Sequence, residues 1–313
     1  MNRTSGSILL VIALATICMT GESSAQTTII SQCVLLPPIS RTASPHPYKA
    51  LVIGNKDYGT LTPLSNPVND ATDVGQALTE SGFEVTRCTN LTRVALDQAI
   101  IDFLTSLDPQ SDEVALFYYT GHGAEIDGVN YIFGVDFPKL PSKEVKSHVA
   151  LNAYKLQHLL ERLSVKQTAF NIVILDACRD NPFASQTSKS IIARKGFSPM
   201  LGARGTYIAF ASAPGQQASD GFDGSSNSPF AAAFLKSIGP DELEIDQVFR
   251  LVREEVWRST TDQSPWSNIN VVGSFYMSRK GSRAVVQKPA PTDFEVMTTE
   301  ESAKAPAAKS TSP

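Results

Sequence analysis

Two residues of this 313-residue chain have side chains that could act together on a covalent bond. One is His122, in Tyr118-Tyr119-Thr120-Gly121-His122-Gly123. The other is Cys178, in Ile174-Leu175-Asp176-Ala177-Cys178-Arg179. An imidazole beside a thiol supplies a nucleophile together with its proton shuttle. A neighbouring imidazolium or the Arg179 guanidinium favours the reactive thiolate, whereas burial opposes it. Alone, either residue reads as ordinary. Free cysteine is among the most buried residue types, and a histidine between glycines is commonly a turn residue.

What gives the pair weight is where each falls. Residues 114–119 and 172–175 are short apolar runs rich in β-branched and aromatic side chains, which reads as buried strands of a parallel sheet. His122 and Cys178 then follow strand C-termini, the edge at which open α/β sheets bind ligands. The flanking pattern supports such a sheet. A first strand is expected over 49–53, ending at Gly54, and a helix capped by Asn69 or Asp70 runs to about Ser81 before Gly82. A second strand covers 83–86. Thr92 caps a helix in which Leu96, Ile100, Phe103 and Leu107 recur at helical spacing. Asp127-Gly128 signals a hairpin with one arm over 129–135, and Asn152 can cap a helix that carries Leu156, Leu159, Leu160 and Leu163. A strand over 206–211, two closing helices around 230–238 and 245–256, and a last strand over 271–277 complete the reading. Alternating strands and helices imply right-handed crossovers in one domain. Residues 183–204 and 214–228 read as long loops.

Several blocks in this order resemble caspase-like peptidases: residues 48–55, the Leu64-Ser65-Asn66-Pro67-Val68-Asn69-Asp70-Ala71 segment, the His and Cys segments, and Asn227-Ser228-Pro229-Phe230. His122 also precedes Cys178 by an interval close to the roughly 50 residues found in caspases. Within that group the chain is most similar to bacterial metacaspase-like (orthocaspase) proteins. The resemblance covers residues 48–277. It implies an α/β fold, a three-layer caspase-like sandwich whose mostly parallel central sheet is flanked by helices on both faces. It also implies a cysteine endopeptidase with His122 and Cys178 as the catalytic dyad and the backbone N–H groups of Gly123 and Cys178 as the oxyanion hole. A glycine at 123 leaves the approach of a substrate carbonyl unobstructed. The Asp-Ala-Cys-Arg-Asp run departs from the caspase signature, which has Gln before Ala-Cys.

In metacaspase-like relatives the positions of Asp70, Thr120 and Asp176 line the pocket for the residue before the cut. Two carboxylates there would attract Arg or Lys and repel Asp. For Asp70 the plainer role is helix capping, and for Asp176 a loop-orienting hydrogen bond. No cofactor is expected. Some metacaspases need calcium, and Asp180, Asp220 and Asp223 invite that reading, although their spacing forms no EF-hand loop. Scattered His and Cys give no zinc spacing. Arg194, Lys195 and Arg204 are candidate self-cleavage sites. The alternative function is a non-catalytic or latent caspase-fold module that binds a protein partner.

The ends of the chain point to export. Residues 1–25 pair a single Arg3 with an apolar stretch too short to span a bilayer, then Ser23-Ser24-Ala25, a secretory signal pattern. Residues 26–46 form an N-terminal arm, 47–278 the peptidase domain, and 279–313 a tail rich in Ala, Lys, Pro, Ser and Thr that is expected to be disordered. The mature protein would be periplasmic or secreted, without stable membrane insertion. Cys33 and Cys88 are the pair that could bridge in an oxidising compartment while sparing Cys178, provided their Cα atoms come within about 7 Å. A net charge of −4 with mixed signs makes nucleic acid a poor partner. A protein or peptide substrate is expected, and oligomeric state is left open.

Overall fold

The computed structural model describes residues 32–38, 48–108, 113–140, 144–166, 168–177, 193–194, 197–200, 205–222, 224–239, 242–271, 273–277 and 284–285. In chain order the elements are β1 (Cys33–Leu36), β2 (Tyr48–Gly54), α1 (Pro67–Glu80), β3 (Phe83–Thr89), α2 (Arg93–Ser106), β4 (Val114–Thr120), β5 (Gly123–Ile126), β6 (Val129–Ile132), α3 (Val145–Asn152) and β7 (Tyr154–Lys155). They continue with α4 (Leu156–Lys166), β8 (Phe170–Asp176), β9 (Ala193–Arg194), β10 (Thr206–Phe210), α5 (Pro229–Ser237), β11 (Leu243–Glu244), α6 (Ile245–Ser259), β12 (Trp266–Asn270), β13 (Ser274–Met277) and β14 (Ala284–Val285).

The central sheet runs β1-β3-β2-β4-β8-β10-β12. Its five inner strands are parallel, and β1 and β12 are antiparallel edges. All residues of β4 and β8 are buried, the signature of strands covered on both faces. A right-handed crossover carries the chain from β2 outward to β3, and a second returns it past β2 to β4, which places α1 and α2 on opposite faces. Helix α5 packs against α1 and α6, and α2 packs against α4. The fold is therefore an α/β sandwich with a mostly parallel sheet, as the resemblance implies. A second small core, including Tyr58, Leu64, Ala124, Phe133 and Val149, lies where the β5–β6 hairpin meets the loop after β2. Among the described residues, no helix is long and apolar enough to cross a membrane.

Several elements differ from expectation. Helix α1 starts at Pro67 with Asn66 as N-cap, because proline fits the first helical position, so Asp70 lies inside the first turn and caps nothing. Asn152 ends α3 instead of capping the leucine-rich helix, which begins at Leu156. Helix α3 buries only Val145 and Val149 and so lacks a readable apolar stripe. The last strand of the main sheet is β12, whose half-exposed Trp-Ser-Asn-Ile-Asn run shows no apolar alternation. The more apolar β13 joins β11 and β14 in a small separate sheet, so Ala284–Val285, inside the expected tail, is paired. The expected signal segment lies outside the described residues. In the arm, β1 pairs with β3 in a register that sets Cys33 opposite Cys88, and the two are joined by a disulfide with Cα atoms 4.0 Å apart.

Candidate active site

His122 sits two residues beyond β4 because Gly121 turns the chain there. Gly121 has φ +153°, and a Cβ on it would lie 2.7 Å from the hydroxyl oxygens of both Tyr58 and Tyr119. Those hydroxyls are in use. The His122 N–H donates to Tyr58 Oη at 2.8 Å, and Tyr119 Oη donates to the His122 carbonyl at 2.8 Å. The Tyr58 ring also packs on the imidazole, with centroids 4.5 Å apart. His122 is thus held from its backbone and from one ring face, and it is 4 % exposed.

The imidazole Nε2 lies 2.7 Å from the carbonyl oxygen of Thr62. A carbonyl can only accept, so Nε2 carries a proton and the lone pair of the neutral ring resides on Nδ1. Tyr58 and Thr62 both come from the loop after β2. That loop is anchored by Asn55, whose amide donates to the Phe133 carbonyl at 2.9 Å and whose Oδ1 accepts from Leu91 N–H at 2.9 Å. Neither Tyr58 nor Thr62 is flagged by sequence reasoning. A backbone carbonyl leaves no signature in residue type, and the tyrosine is separated from its histidine by 64 positions.

On the neighbouring strand, β8 ends at Asp176, directly across from Thr120 in the β4–β8 register. Cys178 follows two residues later and, like Arg179 and Asp180, lies outside the described residues. The three expected pocket residues come together. Asp70, Thr120 and Asp176 are all fully buried. Thr120 Oγ1 donates to Asp70 at 3.4 Å, and Tyr118 Oη donates to Asp176 at 3.2 Å. Ser228 ties the two carboxylates to each other. Its N–H donates to Asp70 at 2.9 Å and its hydroxyl to Asp176 at 2.5 Å, while Oγ also accepts from Ala231 N–H as the N-cap of α5. In the sequence Ser228 reads only as the end of the 214–228 loop; the structure gives it both duties.

Gly123 opens β5. Packing accounts for the missing side chain: a Cβ would lie 2.6 Å from the Phe197 ring and 3.0 Å from the Tyr131 carbonyl. That reason differs from the expected one of leaving room for substrate. Arg194 pairs with Glu125 through β9, and Lys195 and Arg204 lie outside the described residues.

A cleft of about 410 Å³ opens on His122, with Thr62, Leu64, Asp220, Phe222 and Asp262 among its walls. Asp70, Thr120 and Asp176 are not among its described walls. The Asp220 carboxylate accepts from the backbone N–H groups of Ser65 and Asn66 at the start of α1, where helix-end partial charge favours an anion. Asp180 and Asp223 lie outside the described residues, and among the described ones no group of three or more His, Cys, Asp or Glu could hold a metal ion.

A family model described as "Caspase domain" matches residues 48–276. The chain belongs to the caspase-domain family, and its domain is that of a caspase-like peptidase. It is also 32 % identical over 130 residues to the human protein "Mucosa-associated lymphoid tissue lymphoma translocation protein 1" and, to the same extent, to its mouse homolog. These matches cover 42 % of the chain but only 15 % and 14 % of those two proteins.

Proposed function

We propose that the protein is a cysteine endopeptidase that cleaves after Arg or Lys through Cys178 and His122. The observation that carries the proposal is the fixed orientation of the His122 ring beyond the end of β4, next to the strand whose end leads into Cys178. In this reading the Cys178 sulfur adds to the carbonyl carbon of the scissile bond, and the oxyanion takes hydrogen bonds from Gly123 and Cys178 N–H. With Nε2–H held by Thr62, Nδ1 takes the Cys178 thiol proton as the sulfur attacks and delivers it to the leaving amine as the C–N bond breaks. Water then attacks the thioester, His122 takes its proton, and the carboxylic acid leaves as the thiol is restored.

Specificity is assigned to Asp70 and Asp176. Two buried carboxylates joined through Ser228 concentrate negative charge where β4, β8 and α1 meet, and a cationic side chain is the partner that offsets it. The Cys33–Cys88 bridge supports export, since disulfides persist in oxidising compartments. The test is turnover of paired fluorogenic peptides ending in Arg, Lys or Asp by the protein lacking residues 1–25, with Cys178 kept as the thiol and the Cys33–Cys88 bridge intact, with and without calcium, beside Cys178→Ala. Arg or Lys turnover that vanishes in the variant is expected. Asp cleavage would overturn the pocket assignment, and activity retained by the variant would overturn the nucleophile.

A further inference from the structure

The N-terminal arm lies along the outer edge of the sheet, yet its hydrogen bonds lead to the catalytic histidine. Gln32, just before β1, accepts from Thr89 N–H through its carbonyl at 3.0 Å and donates from Nε2 to the Asn90 carbonyl at 3.1 Å. Asn90 has a left-handed backbone, φ 54°, uncommon for a residue with a side chain. Its side chain holds the loop that serves His122: Oδ1 accepts from Lys56 N–H at 2.9 Å and Asp57 N–H at 3.1 Å, and Nδ2 donates to Asp57 at 2.6 Å. Tyr58 is the next residue. The Lys56 carbonyl in turn accepts from Tyr58 and Leu64 N–H, at 3.1 Å each, which closes the loop on both sides of Thr62.

Among the described residues of the arm, the other holds are the short β1 ladder and Leu36, packed against the core. Strand β1 is four residues long, pairs on one side only, and leaves Val34 and Leu35 47 % and 61 % exposed. So short an edge strand is marginal by itself. The disulfide to buried Cys88 ties it covalently to β3.

We propose that the Cys33–Cys88 bridge, Gln32 and Asn90 form a positioning clamp for His122, acting through the loop that carries Tyr58 and Thr62. The inference rests on the proposed peptidase reading for its kinetic readout. Two variants act at different points. Cys33→Ala releases β1 and leaves Cys88 as a small buried thiol. Asn90→Gly keeps the left-handed backbone but removes the hold on Lys56 and Asp57.

Each variant should lower kcat about tenfold with KM changed less than about twofold, since small misplacements of a catalytic group cost rate more than binding. The double variant should lose no more than either single one, because both release the same loop. Hydrogen exchange should quicken in a peptide covering residues 55–64 in both variants while β4 and β8 stay protected. A clamp that is merely structural would lower the melting temperature and leave kcat unchanged, and that result overturns the proposal. So do losses that multiply in the double variant, or unchanged exchange over 55–64. If the parent protein cleaves no peptide, the peptidase reading falls, and the exchange measurement decides the clamp on its own.

Discussion

Replacing Ser228 with alanine removes one oxygen that serves two buried partners, so its cost can be built up from the structure. The hydroxyl is a donor to the Asp176 carboxylate at 2.5 Å and the acceptor for Ala231 N–H at the start of α5. A hydrogen bond to a charged group contributes about 1.5–3 kcal/mol, and loss of a serine N-cap costs about 1 kcal/mol. Because one atom does both jobs the terms do not simply add, and a total of about 3 kcal/mol is expected. For a domain of this size that lowers the melting temperature by roughly 6–12 °C. Urea unfolding at constant m-value measures the loss. Ser228→Gly separates the parts, because glycine at an N-cap costs only a few tenths of a kcal/mol relative to serine. The backbone N–H to Asp70 survives in both variants, so Asp176 is the carboxylate that loses a partner. Turnover of Arg peptides should therefore weaken through KM. A destabilisation under about 1 kcal/mol with KM unchanged would refute the reasoning, since Asp176 would then have found an equivalent donor.

Three further outcomes are expected. Gly123→Ala puts a methyl group against the Phe197 ring and should cost about 1–3 kcal/mol of stability in denaturant unfolding, with Phe197→Leu recovering most of it. Desolvation pushes the Tyr154 phenol up to about 12, with nearby Asp97 adding to the rise and Arg162 and Arg93 opposing it. The unfolded chain gives up this proton near pH 10 while the folded protein keeps it. Stability should therefore fall as pH rises from about 10 to 12, by about 3 kcal/mol for this one group. Tyr154→Phe should flatten part of that slope in urea titrations, with Tyr207 and Tyr131, both raised chiefly by burial, contributing to what is left. Finally, kcat/KM for Arg peptides should drop with added salt while that for neutral peptides stays level, because Asp220 and Asp262 are the charged side chains among the described cleft walls. Equal salt dependence for both peptides would remove the electrostatic argument.

What the sequence made legible was whatever burial on both faces imposes on residue type. The runs over 114–119 and 172–175 read as inner parallel strands, and β4 extends the first by one residue while β8 extends the second by three. Placing His122 beyond a strand end followed directly. Edges were harder to read. Strands β1 and β12 pair through backbone on one side and face solvent on the other, so nothing apolar alternates in Trp-Ser-Asn-Ile-Asn to announce a strand. At the site, Asp70, Thr120 and Asp176 were legible only through the resemblance to metacaspase-like pockets. Thr62 contributes only a carbonyl oxygen, which any residue would supply. For Asp70, capping and pocket roles were both open until the position of Pro67 excluded the first.

The place where these residues meet follows from the order in which the strands were laid down. From β2 the chain moves outward to β3, then returns and continues in the other direction through β4, β8 and β10. Connections leaving β2 and β4 therefore depart toward opposite faces, and the C-terminal ends of those two strands part around a crevice. Helix α1 comes close to β2 there, since Gly54 lacks the Cβ that would meet the Pro67 carbonyl and Ala71. That approach carries Asp70, in the first turn of α1, over the ends of β4 and β8. The loop after β2 presents Thr62 to His122. The one connection from β2 to β3 thus delivers both the Asp70 carboxylate and the imidazole's partner. A change in the length of residues 55–66 would consequently disturb the proposed specificity pocket and the proton shuttle together.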